Sequence, residues 1–252
     1  MIKRQIPNLI TLGNLLCGVV ASYFAASGDI QGAAFFICLG IFFDFFDGMA
    51  ARLLGVASPI GKELDSLADV VTSGVAPGLI LLTILREGTG DWPVWGQLLA
   101  IFVALLVPLF AAYRLAKFNI DTRQSHSFLG LPVPSNALIW VGIALFLAPD
   151  CLHPQCWVEG SGGWNPLVEN TLFLLAIIVV SLVTDILMIS EMPMFSLKVN
   201  FKDMSWKSNS VQYIFLIGCA VIIAVTRQWY AISLIILWYI ILSAITQRKH
   251  AE

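Results

Sequence analysis

Charge is what this sequence has least of. Only 12% of its 252 residues are Asp, Glu, Lys or Arg, about half the ~25% usual in a soluble domain. Hydrophobic residues make up 58%, and the mean hydropathy is +0.85. This balance excludes a disordered chain, a basic nucleic-acid-binding domain and an ordinary soluble globule. Cysteine is scarce too: there are five, with no C-x-x-C pair and no His/Cys cluster to suggest zinc. No internal repeat and no Pro/Ser/Gly-rich linker divides the chain, so residues 1–252 are read as a single domain.

What is present is a series of long apolar runs. Stretches 5–28, 92–113, 124–149, 208–226 and 228–247 contain no Asp, Glu, Lys or Arg at all. Three others, 30–54, 64–85 and 167–189, are interrupted by few charges. A membrane helix needs about 20 mostly apolar residues. The pattern therefore predicts an all-α, polytopic membrane bundle of about eight helices, near 8–27, 31–54, 63–85, 93–117, 133–149, 168–189, 210–227 and 229–246. The first run follows Lys3 and Arg4 and ends in small residues, as a signal peptide does, but it is long and Pro7 and Asn8 break its start. It is read as the first span.

The spans divide the basic residues unevenly. Lys3, Arg4, Arg52, Lys62, Arg114, Lys117, Arg123, Lys198, Lys202, Lys207, Arg248 and Lys249 fall on one side, and Arg86 and Arg227 on the other. Lys and Arg mark the cytoplasmic side, so both termini are expected there. Cys17, Cys38 and Cys219 read as packing residues within spans. Cys151 and Cys156, in an outside loop, fit a disulfide or two free thiols equally well.

Carboxylates within spans are expensive, at about 2.5–3.5 kcal/mol each for Asp on insertion scales. Asp44 and Asp47 lie three apart, and Asp65 and Asp69 four apart, so each pair shares a helix face. A short Gly/Ser/Pro loop makes the two helices antiparallel neighbours, and the four acids can converge near the cytoplasmic surface. So many carboxylates cannot all stay ionised without cations. Hard divalent ions are the natural partners: two Mg²⁺ or Mn²⁺, which would clamp both ends of a phosphoryl displacement. Gly48 and Gly61 leave room for a ligand at the backbone, and Arg52 can grip a phosphate with its forked donors. A rival reading is a cation-coupled transporter using intramembrane aspartates, but it leaves Arg52 among the acids unexplained. Asp185, a lone acid in the sixth span, reads as an interhelical hydrogen-bonding residue.

The run from Asp44 to Asp69 matches D-x2-D-G-x2-A-R-x8-G-x3-D-x3-D at every fixed position. It resembles the signature of the CDP-alcohol phosphotransferases. That resemblance implies that a CDP-linked lipid, CDP-diacylglycerol, gives its phosphatidyl group to an alcohol while CMP leaves. It implies that Asp44, Asp47, Asp65 and Asp69 are metal ligands, and that Asp69 is the base that deprotonates the acceptor. It further implies that Gly48, Arg52 and Gly61 contact the cytidine diphosphate, with Ser58 and, at the head of the first span, Asn8 and Thr11 completing that pocket. A site facing the cytoplasm in the cell membrane and a homodimer are also implied, with no nucleic acid involved.

Three further stretches resemble the serine-using members of that family: 6–18, 64–77, and 112–119 followed by 128–135, with 193–198 beyond. They imply L-serine as the acceptor. Arg114, with Lys117 and Asn119 beside it, is the candidate partner of the serine carboxylate, since a forked donor fits a carboxylate bidentately. The same basic cluster would also suit glycerol 3-phosphate or an inositol acceptor, and composition alone does not separate them.

Overall fold

The computed structural model describes residues 2–56, 58–121, 128–147, 164–195 and 206–251. The two outside-loop cysteines, Arg123, Lys198 and Lys202 lie outside these residues. Eight helices follow one another: α1 (Ile2–Ala26), α2 (Ile30–Leu54), α3 (Pro59–Gly88), α4 (Val94–Ile120), α5 (Val133–Leu147), α6 (Thr171–Ile189), α7 (Trp206–Thr226) and α8 (Ala231–Ala251). Among the described residues, six are long and apolar enough to cross a membrane, and α5 and the Ala231–Thr246 part of α8 are shorter apolar helices. The chain is a multi-pass membrane protein, and the described helices follow the expected order, six of them long and apolar enough to span.

Local chemistry sets the boundaries. Asp29 caps α2 by accepting from the Gly32 N–H at 2.8 Å. Gly55, at φ 62°, ends that helix in the left-handed conformation that glycine adopts without strain. Three residues on, Ser58 caps α3 by accepting from the Gly61 N–H at 3.0 Å, with Pro59 in the first helical position. A tight reversal thus joins the two halves of the aspartate motif. Asn209 leaves the helical region in α7 (φ −124°, ψ 26°), so the apolar part of that helix starts where the hydropathy does.

Three departures from the sequence reading stand out. First, α1 runs from Ile2 straight through Pro7 rather than starting at 8. Proline there removes one rung close to the helix end, and the Pro7 carbonyl still accepts from Thr11 Oγ1 at 3.0 Å. Second, α3 is not uniform: it is α-helical over Pro59–Asp69, π-helical over Val70–Val75 and α-helical again over Ala76–Gly88. Third, a two-residue antiparallel pairing joins β1 (Phe128–Leu129) to β2 (Pro193–Met194), in the register Phe128↔Met194 and Leu129↔Pro193. Gly130 follows at φ 74°, where its N–H reaches the Met192 carbonyl at 2.8 Å. A Cβ at that position would run into the carbonyls of Leu187, Met188 and Ser190. The pairing clasps the entry to α5 onto the end of α6.

The interior is apolar, with Ile30, Ile37, Ile80, Leu81, Ile84, Leu85 and Trp140 fully buried. The outer helix faces are apolar too: Leu9, Leu16, Phe45, Leu98, Phe102 and Leu172 are all exposed. In water such a surface would be heavily penalised. In a bilayer it is the solvent-matched face.

Candidate active site

Asp44 and Asp47 from α2 and Asp65 from α3 each offer a carboxylate oxygen, and these oxygens all lie within 4.8 Å of one another. Asp47 is buried and accepts a 2.6 Å hydrogen bond from Thr11 Oγ1 of α1. Asp65 keeps Oδ1 buried without a partner among the described residues. An orphaned carboxylate oxygen facing two further carboxylates is a donor set that suits a hard divalent cation. Asp69, on the next turn of α3, is buried as Asp47 is, and accepts from Asn14 Nδ2 at 3.1 Å. Three of the acids thus form one cluster, and the fourth, Asp69, is within electrostatic reach of them.

Helix α1 holds the two inner acids. Thr11 and Asn14 are three apart and turn one polar edge toward α2 and α3. The approach is close because Gly18 and Gly40 have no side chains: a Cβ on Gly18 would meet the Thr72 backbone at 2.8 Å. Thr72 in turn donates to the Asn14 carbonyl at 3.0 Å. Thr72 belongs to the π-helical segment that starts directly after Asp69. A π turn inserts one residue into the helical register, so the acid-bearing turn and the membrane part of α3 each keep their own packing face. Asn14, Thr72 and the π segment were not singled out in the sequence. The spacing of Asn8, Thr11 and Asn14 in an otherwise apolar run was the available signal for Asn14.

The glycine positions differ from each other. Nothing lies within 4 Å of where a Gly48 Cβ would be, so that face of α2 is open. At Gly61 the same position is 3.2 Å from both Asn8 Oδ1 and Ser58 Oγ, which brings Asn8, Ser58 and Gly61 together at the α1–α3 mouth. Arg52 is exposed and its Nε donates to the Gly48 carbonyl at 3.0 Å.

Arg114 on α4 is 7% exposed, and its Nε has no partner among the described residues. Its guanidinium lies 5.4 Å from the centroid of the Phe118 ring, and within electrostatic reach of Asp69 and Tyr239. It lines a narrow hollow with Lys117, Phe118, Leu129, Met188 and Ser190. Lys117 is not a lone cation there: its Nζ is 3.5 Å from Glu191 Oε1. Asn119 is not among the lining residues. Its amide donates to Ser66 Oγ at 2.9 Å and its carbonyl accepts from Lys62 Nζ at 2.9 Å, sewing the end of α4 to α3. The interhelical hydrogen bond expected of Asp185 is not made: both oxygens are buried and unpartnered among the described residues. The hydroxyl of the preceding residue, Thr184, turns back to the Ser181 carbonyl at 3.1 Å.

A bundle of apolar helices with a polar site built on three of them defines a membrane-embedded enzyme class, and residues 4–195 match the family described as CDP-alcohol phosphatidyltransferase. The chain belongs to that family of phosphotransferases. It is 40% identical over 167 residues to the CDP-diacylglycerol--serine O-phosphatidyltransferase of Bacillus subtilis (strain 168), covering 66% of this chain and 88% of that protein. It is 36% identical over 137 residues to the protein of the same name from Helicobacter pylori (strain J99), covering 54% and 55%. A further match, 41% over 124 residues, is to the Saccharomyces cerevisiae protein of that name, covering 46% and 42%. The chain thus spans most of the Bacillus relative and about half or less of the other two.

Proposed function

We propose that the chain, acting over 1–252 as one unit, transfers the phosphatidyl group of CDP-diacylglycerol to the hydroxyl of L-serine. The products are phosphatidylserine and CMP. The observation that carries this reading is the cluster of carboxylates from α2 and α3, with oxygens within 4.8 Å of one another and Asp69 held by Asn14 on the next turn of α3. Asp69 serves as base for the acceptor hydroxyl, and Arg114, buried with Nε unpartnered among the described residues, as anchor for the acceptor carboxylate. The shared name of the relatives adds support for serine.

Asp44, Asp47 and Asp65, with Asp69 on the next turn of α3, would hold Mg²⁺ or Mn²⁺, two ions in all. Bound there, such ions supply charge neutralisation on the diphosphate oxygens. The remaining steps belong to the chain's own residues. Arg52, at the open Gly48 face, is available to the diphosphate. Asn8, Ser58 and Gly61 border the nucleotide end. Arg114 takes the serine carboxylate and turns its hydroxyl toward Asp69. The hydroxyl oxygen attacks the lipid-side phosphorus, its proton passes to Asp69, and the bond to CMP breaks. A positioned base of this kind contributes typically 10²–10⁴-fold.

The twelve-to-two bias of basic residues supports a site facing the cytoplasm in the cell membrane. A homodimer is part of the same reading, from the family resemblance. Purified protein given CDP-diacylglycerol, Mn²⁺ or Mg²⁺ and, in parallel, serine, glycerol 3-phosphate, inositol phosphate or inositol tests the proposal. Phosphatidylserine and CMP from serine alone are expected. Product from another acceptor would keep the site and remove Arg114 as a serine anchor. Ion flux in liposomes without CMP release would return the transporter reading.

A further inference from the structure

Arg114 and Lys117 lie three apart on α4 and line one hollow with the end of α6. Two cations side by side would suit a phosphate as well as a carboxylate. The ion pair across this hollow changes that balance. Glu191, one residue past the hollow-lining Ser190, stands 3.5 Å from Lys117 Nζ. The Ser190 N–H bond to the Ile186 carbonyl fixes the chain before Glu191, and the Gly130 N–H bond to Met192 with the β1–β2 clasp fixes it after, so its position is set by the fold. With Lys117 paired, Arg114 is the lining cation that makes no ion pair among the described residues.

We infer that Glu191 is a specificity-determining residue: by pairing with Lys117, it leaves Arg114 as the one lining cation without an ion pair and so disfavours phosphorylated alcohols. This rests on the serine reading and deepens it. Serine brings one carboxylate and no net charge. A phosphate monoester brings about −1.5 to −2. A hollow with one unpaired cation matches the first, and a hollow with two would match the second. Discrimination comes from a countercharge as much as from the attractive contact. Lys117 is 32% exposed and Glu191 61%, so the effect is that of one partly screened charge.

The experiment measures KM for serine and the competitive Ki of sn-glycerol 3-phosphate in four proteins: wild type, Glu191→Gln, Glu191→Asp, and the double variant Lys117→Met/Glu191→Gln. The readout is the ratio of serine KM to glycerol 3-phosphate Ki, which a general loss of folding does not move. Glu191→Gln is expected to raise that ratio about five-fold, while Glu191→Asp and the double variant stay near wild type. An unchanged ratio in Glu191→Gln overturns the inference, as does an equal rise in the double variant, which would exclude Lys117 as the intermediary. A wild type that makes no phosphatidylserine removes the serine reading itself. A serine-active wild type with either overturning result removes this inference alone.

Discussion

Asp69, like Asp47, is buried with a donor from α1 on one oxygen, and in its case the donor is an amide. A group so placed is ordered before substrate arrives. Asp69→Asn keeps the shape and removes the proton acceptor, so turnover is expected to fall by 10²-fold or more with CDP-diacylglycerol binding retained. Equilibrium binding and single-turnover CMP release separate the two. Chelation tests the neighbouring trio: EDTA is expected to stop CMP release and added Mn²⁺ or Mg²⁺ to restore it, and activity persisting in EDTA would remove the metal reading. At this scale the four acids were legible in the sequence, because charged residues inside apolar runs stand out and their spacing fixes a shared face. Asn14 and Glu191 were not. Each matters through a partner, Asp69 or Lys117, more than fifty residues away, and no local pattern encodes such a pairing.

Among the elements, α3 does the most unusual work. Its first part carries Asp65 and Asp69, its last part fills the apolar core with Ile80, Leu81, Ile84 and Leu85, and the π segment lies between. The same segment places Thr72 against Gly18 and Gly40, so three helices meet where a single methyl group would not fit. Gly18→Ala is expected to push α1 from α3, at a cost of about 1–3 kcal/mol typical of overpacking, and to lower kcat through the displaced Asn14. Thermal unfolding in detergent and the serine assay would register both, and a variant with wild-type stability and activity would show that the contact is dispensable. Helix positions were legible from long apolar runs interrupted by few charges. The π segment and the β1–β2 clasp were not, since one adds a residue without altering hydropathy and the other is a pairing of two residues with two.

For the whole molecule, the eight-helix outline followed from the sequence because lipid demands long uncharged stretches, and that demand is visible without a structure. The distribution of basic residues adds a direction. In a protein stripped of its own cysteines, Asp91→Cys, between α3 and α4, is expected to react with a membrane-impermeant maleimide from outside intact cells. Val56→Cys, in the α2–α3 reversal, is expected to react only after permeabilisation. The opposite labelling pattern would invert the topology and place the aspartates at the outer surface.

The hydrogen bonds that α1 gives to its neighbours also bear on how the protein is made. A chain leaves the ribosome N-terminus first, so Thr11 and Asn14 are already within the bilayer when α2 and α3 are handed to it. The two inner acids, Asp47 and Asp69, arrive to find their donors waiting. Segments whose carboxylates would resist partitioning into lipid on their own can thus enter beside a helix that offers them solvation. Synthesis order lets the aspartate-bearing helices meet their donors before the last helices have entered the bilayer.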